Sequence, residues 1–316
     1  MAAAVKRSGW LSAGGLLRAL GSLIAVGLVI YLISRQGWQE IAAAIARIEL
    51  WRFILAFILT LISRLAVARR WHVLLRSGGI NASWKQSLRI TFAGLFANNF
   101  LPTTVGGDVA RMAGALQMGF DAAVSAASLI VDRLVGLLGF AFTLPFGLQH
   151  LLAGGVPGLP LTMLAVETSW NGRLRNRISK IWVRLRKAIR LWATQPWALL
   201  SALGFTFVHM ACLFATLFIL LDGMHDPLPF WTVAGLQSLV YVVTLIPISI
   251  SGWGVQEFSI SYAFTALGGV SPANSLVLAL LLRTLYVLAS LPGALVLSDV
   301  LPGMAKAQPL LTKLDG

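Results

Sequence analysis

Residues 197–221 contain no Asp, Glu, Lys or Arg, and largely apolar runs recur at about 16–34, 53–68, 124–146, 148–166 and 275–297. Runs near 20 residues are long enough to cross the hydrocarbon core as helices, whereas strands of a barrel would alternate in polarity. The expected fold class is therefore all-α, a polytopic helical membrane protein. Over 316 residues the chain is 58% hydrophobic and 11% charged, with a mean hydropathy of +0.82, which is far from the composition of a soluble domain.

The net charge of +14 falls largely in short segments between the runs. That placement points to anionic lipid headgroups as partners and not to nucleic acid. Cys212 is the single cysteine, which excludes an internal disulfide. Lys6, Arg7 and Arg18 lie at the start of the first run, so the positive-inside rule places residues 1–15 in the cytoplasm. Arg69, Arg70, Arg76, Lys85 and Arg89 form a second basic block, read as a cytoplasmic loop. Its sequon, Asn81-Ala82-Ser83, then meets no glycosylation machinery. Residues 173–190 hold eight Arg or Lys and no acid, with Arg173, Arg177, Lys180, Arg184, Lys187 and Arg190 interleaved with Ile178, Ile181, Trp182, Leu185 and Ile189. This is the pattern of a basic amphipathic helix on the inner leaflet.

One integral membrane domain, 1–316, is expected. It has a first half at 16–166, a basic linker at 167–196, a second half at 197–298 and a cytoplasmic tail at 299–316. Each half contains an interrupted segment. The first, 98–111, reads Asn98-Asn99-Phe100-Leu101-Pro102-Thr103-Thr104-Val105-Gly106-Gly107-Asp108-Val109-Ala110-Arg111. The second, 247–257, runs from Pro247 through Gly252 and Gly254 to Glu257. A broken helix exposes backbone N–H and C=O groups, and hydrocarbon tolerates these only where protein buries them or a wet cavity receives them. Charge parity suggests that the first segment enters from the cytoplasm and leaves on the same side, and that the second re-enters from outside. Fusion of 124–146 with 148–166 into one long span is the competing arrangement. Each segment ends in an acid that precedes an arginine by a similar interval: Asp108 leads Arg133 by 25 residues, and Glu257 leads Arg283 by 26. The halves then read as an inverted repeat whose broken segments meet near the midplane.

An ionised side chain at membrane depth costs roughly 2.5–3.5 kcal/mol on insertion scales, so Asp108, Arg111, Asp132, Arg133, Glu257 and Arg283 should face the interior and find partners. Asp108 also reads as a helix N-cap, Asp132 and Arg133 as a headgroup-level pair, and Asn98 and Asn99 as partners for broken-helix backbone. The candidate substrate-binding set is Asn98, Asn99, Pro102, Gly106, Gly107, Asp108, Arg111, Asp132, Arg133, Pro247, Gly252, Gly254, Glu257 and Arg283. Arginines opposed to carboxylates suit a phosphate headgroup. His209 reads as hydrogen-bonded packing or a proton relay, and Trp38, Trp51, Trp84, Trp197 and Trp231 as interface anchors. There is no phosphate-loop motif and no Cys/His cluster, so no catalytic residue, cofactor or metal is expected.

At Asn99-x-Leu101-Pro102, Gly106-Gly107-Asp108-x-x-Arg111, Asp132-Arg133-Leu134-x-Gly136, the stretch from Pro247 to Glu257 and Arg283, the chain resembles the lysylphosphatidylglycerol synthase transmembrane-region family of flippase-like proteins. The family usually carries Glu where Asp132 stands, which keeps the charge. The resemblance implies movement of a lipid between leaflets. Because the chain ends at Gly316 without the family's separate synthase domain, it also implies no lysyl transfer.

The expected function is a lipid flippase moving an anionic or zwitterionic phospholipid or glycolipid headgroup across an inner membrane. A membrane enzyme acting on a lipid-linked substrate and a non-transporting scaffold are the alternatives. Expected partners are the lipid substrate, inner-leaflet anionic lipids at Arg173–Arg190, and either a second copy of the chain or a separate lipid-modifying enzyme.

Overall fold

The computed structural model describes residues 38–99, 106–153, 195–244 and 254–297, with a few isolated positions such as Trp192. All regular structure among them is helical. In order these are α1 (Trp38–Ala46), α2 (Leu50–Ser77), α3 (Trp84–Ala97), α4 (Gly106–Gln117), α5 (Ala122–Ala153), α6 (Pro196–Gly223), α7 (Phe230–Thr244), α8 (Val255–Ala266) and α9 (Pro272–Ser290). A 3-10 turn at Leu291–Gly293 extends α9. The first apolar run, the basic segment at 173–190, and the turns carrying Pro102, Pro247 and Gly252 lie outside the described residues.

Among the described residues, four helices are long and apolar enough to cross a membrane: Leu50–Ser77, Ala122–Gln149, Pro196–Gly223 and Pro272–Leu297. The others are short. With 14, 12, 15 and 12 residues, α3, α4, α7 and α8 reach only about 18–23 Å at 1.5 Å per residue, against a core of about 30 Å. The described helices from α2 to α9 thus run long, short, short, long, and then repeat that order.

The ends of the helices repeat too. After α2, Gly78 N–H donates to Leu74 O, Gly79 N–H to Arg76 O and Ile80 N–H to Leu75 O, with Gly79 at φ 94°. After α6, Met224 N–H donates to Leu220 O, His225 N–H to Asp222 O and Asp226 N–H to Leu221 O, with His225 at φ 60°. Both stops satisfy the last carbonyls through a left-handed residue. Gly119 after α4 and Gly269 after α8 also match, at φ 76° and 72°.

Helices α2 and α6 form the most extensive pair and run antiparallel. At one end Arg52 pairs with Asp222, midway Ser63 meets His209, further on Arg70 meets Thr206, and at the other end Ser77 O accepts from Gln195 Nε2. Helix α5 starts beside Gly78 and Trp192, and near its far end Phe146 stacks on Trp231 of α7 with ring centroids 5.1 Å apart. It is continuous through 147 to Ala153, so the sequence-expected separation of 124–146 from 148–166 is absent there; residues 154–166 lie outside the described residues. The α5–α7 crossing depends on two glycines, since a Cβ on Gly147 would lie 2.2 Å from Gly235 O. Such small-residue crossings let backbones approach in lipid, where no hydrophobic effect drives helices together.

Two of the three apolar clusters among the described residues carry most of the packing. The larger packs α6, α7, α8 and α9 around Leu217, Leu236, Phe264 and Leu282; the smaller packs the end of α2 with α3, α4 and the start of α5 around Trp71, Ile90 and Met112. Ser83 starts α3 with a reciprocal cap: its Oγ accepts from Gln86 N–H at 3.3 Å, and its N–H donates to Gln86 Oε1 at 2.8 Å. Ser83 of the sequon therefore has a local structural role. Trp51, Trp197 and Trp231 are exposed near helix starts, as interface anchors require.

Candidate functional site

Helices α3 and α4 can lie close because glycine faces glycine. A Cβ on Gly94 would come within 2.7 Å of both Gly107 O and Arg111 Cγ. Asn98 closes the same corner, its Oδ1 accepting from Gly107 N–H at 3.3 Å. That contact satisfies a backbone donor at the break, as the sequence suggests for the asparagines. Asn99 instead donates from Nδ2 to Ser290 Oγ at 2.8 Å, so it ties the break to α9.

The tight corner aims Asp108 and Arg111 at α5. Asp132, 2% exposed, accepts from Arg70 Nε at 2.7 Å and from Arg111 Nη1 at 3.1 Å. The same Nη1 reaches Asp108 Oδ1 at 3.2 Å, and the other oxygen of Asp108 pairs with Arg133 Nε. Five charged side chains thus form one chain, Arg70, Asp132, Arg111, Asp108 and Arg133. Asp132 and Arg133 are neighbours in sequence but take different partners, and Asp132 is interior rather than a headgroup-level residue. Asp108 sits inside the first turn of α4 and its carboxylate serves the two arginines.

These residues line a cavity of about 300 Å³. Its wall also includes Arg64, His209 and Tyr241. Arg64 lies near the midpoint of α2, with its guanidinium 3.9 Å from the ring centroid of Tyr286 on α9. Arg111 lies 4.3 Å over the Trp71 ring. Its Nε and Nη2 are buried and make no hydrogen bond. Breaking a buried pair on one side typically costs 3–5 kcal/mol, because the remaining charge is stranded. Among the described residues no group of three His, Cys, Asp or Glu could hold a metal ion.

The second half builds a smaller centre at the equivalent place. Glu257, 4% exposed, pairs through Oε1 with Arg283 Nε and accepts from Gly254 N–H at 2.7 Å through Oε2. Gly254 starts α8 at φ 79°, a backbone conformation that L side chains avoid. Glu257 with Arg283 therefore matches Asp108 with Arg133, on α8 and α9 instead of α4 and α5. The likeness stops at one step: Leu282 precedes Arg283 where Asp132 precedes Arg133. Gly254, Glu257 and Arg283 do not line the cavity.

Of the first-half residues that the sequence groups as substrate-binding, Asn98, Gly107, Asp108, Arg111, Asp132 and Arg133 line the cavity, Asn99 and Gly106 do not, and Pro102 lies outside the described residues. Sequence reasoning passed over Arg64 inside an apolar run and assigned Arg70 to a cytoplasmic loop. In fact α2 continues to Ser77, and Arg70 is buried at 8% exposure. An arginine inside an otherwise apolar span was the available signal for Arg64.

The chain belongs to the lysylphosphatidylglycerol synthase transmembrane-region family, whose model matches residues 18–293. The match extends across both halves and both ion-paired centres. No curated protein matches the chain.

Proposed function

We infer that the protein moves a lipid headgroup across an inner membrane through the arginine-lined cavity, as a transporter and not as an enzyme. The observation that carries the reading is the ion chain of Arg70, Asp132, Arg111, Asp108 and Arg133 around a cavity of about 300 Å³ in a membrane bundle. A headgroup there exchanges water for fixed guanidinium donors. Membership of a family named for a lipid-handling membrane region supports the same class of substrate.

Alternating access is the accompanying mechanism. The repeated order of helices, the matching ends of α2 and α6, and their antiparallel contact support an inverted repeat. The short pairs α3–α4 and α7–α8 are the re-entrant elements in this reading, entering from opposite faces. Orientation follows from charge: Arg76, Lys85 and Arg89, at the end of α2 and along α3, and the basic block at 173–190 face the cytoplasm with the N-terminus, and the latter binds anionic lipid of the inner leaflet. Two contacts support it, because Arg52 with Asp222 joins the two loops read as external, and Ser77 with Gln195 joins the two read as cytoplasmic.

The deciding experiment is a leaflet-resolved translocation assay on the purified protein in liposomes, with labelled phospholipids and glycolipids. Wild type is expected to move one lipid class, while Arg133→Ala and Glu257→Gln insert normally and do not. Normal transport by both variants would remove the site assignment, and no movement of any lipid by wild type would remove the transport reading.

A further inference from the structure

The cavity is not electrically neutral. Among the described residues its wall carries four arginines, Arg64, Arg70, Arg111 and Arg133, against two aspartates, Asp108 and Asp132. Both aspartates are already committed, each to two of the other arginines. Arg64 rests on the Tyr286 ring, and no carboxylate among the described residues forms an ion pair with it. Arg111 adds two unpartnered donors, Nε and Nη2, although the residue is only 7% exposed. Those two nitrogens share one edge of the guanidinium plane, the edge that meets two oxygens of a carboxylate or phosphate. With guanidinium groups always protonated, the wall carries two positive charges more than its aspartates can offset.

We propose that the cavity takes a doubly charged phosphate, a phosphomonoester or pyrophosphate group, with Arg64 and the buried, unpartnered edge of Arg111 as its selective contacts. The proposal rests on the transport reading only for the group being carried by a lipid. A phosphodiester brings a single negative charge and leaves one arginine uncompensated. A zwitterionic or aminoacylated headgroup brings a cation as well, and meets arginines on both sides of the ion chain. A monoester approaches two negative charges at neutral pH, because its second ionisation lies near pH 6. Tyr241 and Asn98, also on the wall, supply neutral polar groups beside the charged ones.

The test is equilibrium binding to the purified full chain in detergent, read by thermal stabilisation. The probes are short-chain phosphatidic acid, phosphatidylglycerol and phosphatidylcholine, with glycerol 3-phosphate and inorganic phosphate as water-soluble counterparts. Phosphatidic acid is expected to bind about tenfold or more tighter than phosphatidylglycerol, and phosphatidylcholine more weakly still. The preference is expected to shrink from about pH 7.5 to about pH 5.5, as the monoester takes up its second proton. Arg64→Gln is expected to abolish the preference, and Arg64→Lys, which keeps the charge, to retain part of it. If the soluble phosphates bind as well as phosphatidic acid, the ligand is a free phosphate ester; if only the lipid binds, the acyl chains are part of recognition. Both results keep the doubly charged site. Equal binding of phosphatidic acid and phosphatidylglycerol overturns it, as does an unchanged preference in an Arg64→Gln protein that elutes as a single species. Should Arg64→Gln not fold, the wild-type pH series and Arg64→Lys still decide. Translocation is scored separately: selective binding without movement defeats the transport reading alone, and movement of phosphatidylglycerol without monoester preference defeats this proposal alone.

Discussion

Ser63 Oγ lies 2.7 Å from Nδ1 of His209, and the two residues occupy the same position in α2 and α6, 146 residues apart. In the inverted-repeat reading proposed above, a two-fold relation between the halves would pass through this contact. This contact also seats His209 beside the cavity. In a Cys212→Ala background, cysteines at positions 63 and 209 are expected to cross-link within one chain with a short membrane-permeant thiol reagent. Cross-linking only between chains, or none, would contradict the antiparallel packing of α2 on α6.

Asp132 is the joint of the ion chain. Asp132→Asn leaves Arg70 and Arg111 without their shared buried carboxylate and is expected to cost about 3–5 kcal/mol. In detergent this reads as a lowered melting temperature or as loss of the monodisperse protein. Asp132→Glu keeps the charge and is expected to retain both fold and transport. Equal stability of the Asn variant and wild type would show that the two arginines have other counter-charges.

Gly94 sets the spacing of α3 and α4. Gly94→Ala puts a methyl against Gly107 O, which is backbone and cannot swing away. Overpacking of this sort costs about 1–3 kcal/mol. The predicted result is a lower melting temperature with a larger fractional loss of transport, since Arg111 Cγ shares the contact and would shift with it. A variant with normal stability and transport would mean that the corner is loose.

Gly254 is held by its backbone angles, φ 79° and ψ −43°, where a Cβ is strained by roughly 1–3 kcal/mol. Its N–H is the donor to Glu257. Gly254→Ala is accordingly expected to weaken transport in the same direction as Glu257→Gln, though less. Tryptic mapping of the α7–α8 region would report the strain as faster cleavage. Wild-type transport and wild-type proteolysis together would sever Gly254 from the Glu257 centre.

Much of this was legible in the sequence because membranes make polarity informative. The all-helical class follows from the length of the apolar runs, and acids and arginines stranded at similar intervals mark Asp108, Arg133, Glu257 and Arg283 as charges in need of interior partners, while the structure assigns Asp108 to Arg133 and Glu257 to Arg283. Arg70 was not legible. Its partner Asp132 lies 62 residues away, and a basic residue in the last turns of a span looks the same in sequence whether it turns to water or to a carboxylate. Gly94 was equally silent, because one glycine in an apolar run gives no sign of the backbone it meets. The extension of α5 beyond 146 shows a third limit, since Pro145 suggests a stop but lies within a continuous helix.

Leu282 stands where the proposed repeat would put a second Asp132, so on that reading the second half keeps the frame of the first without its charge. If the halves exchange shapes during transport, the opposite-facing form has a leucine in place of the acid that joins two arginines. The two faces then hold the same ligand with unequal strength, a difference that the equilibrium between the two forms offsets, so half-saturation differs between the sides while the net direction still follows the gradient. Reconstitution in a single orientation would show this as different half-saturation from the two sides, and identical values would mean that the charge difference does not separate the two faces.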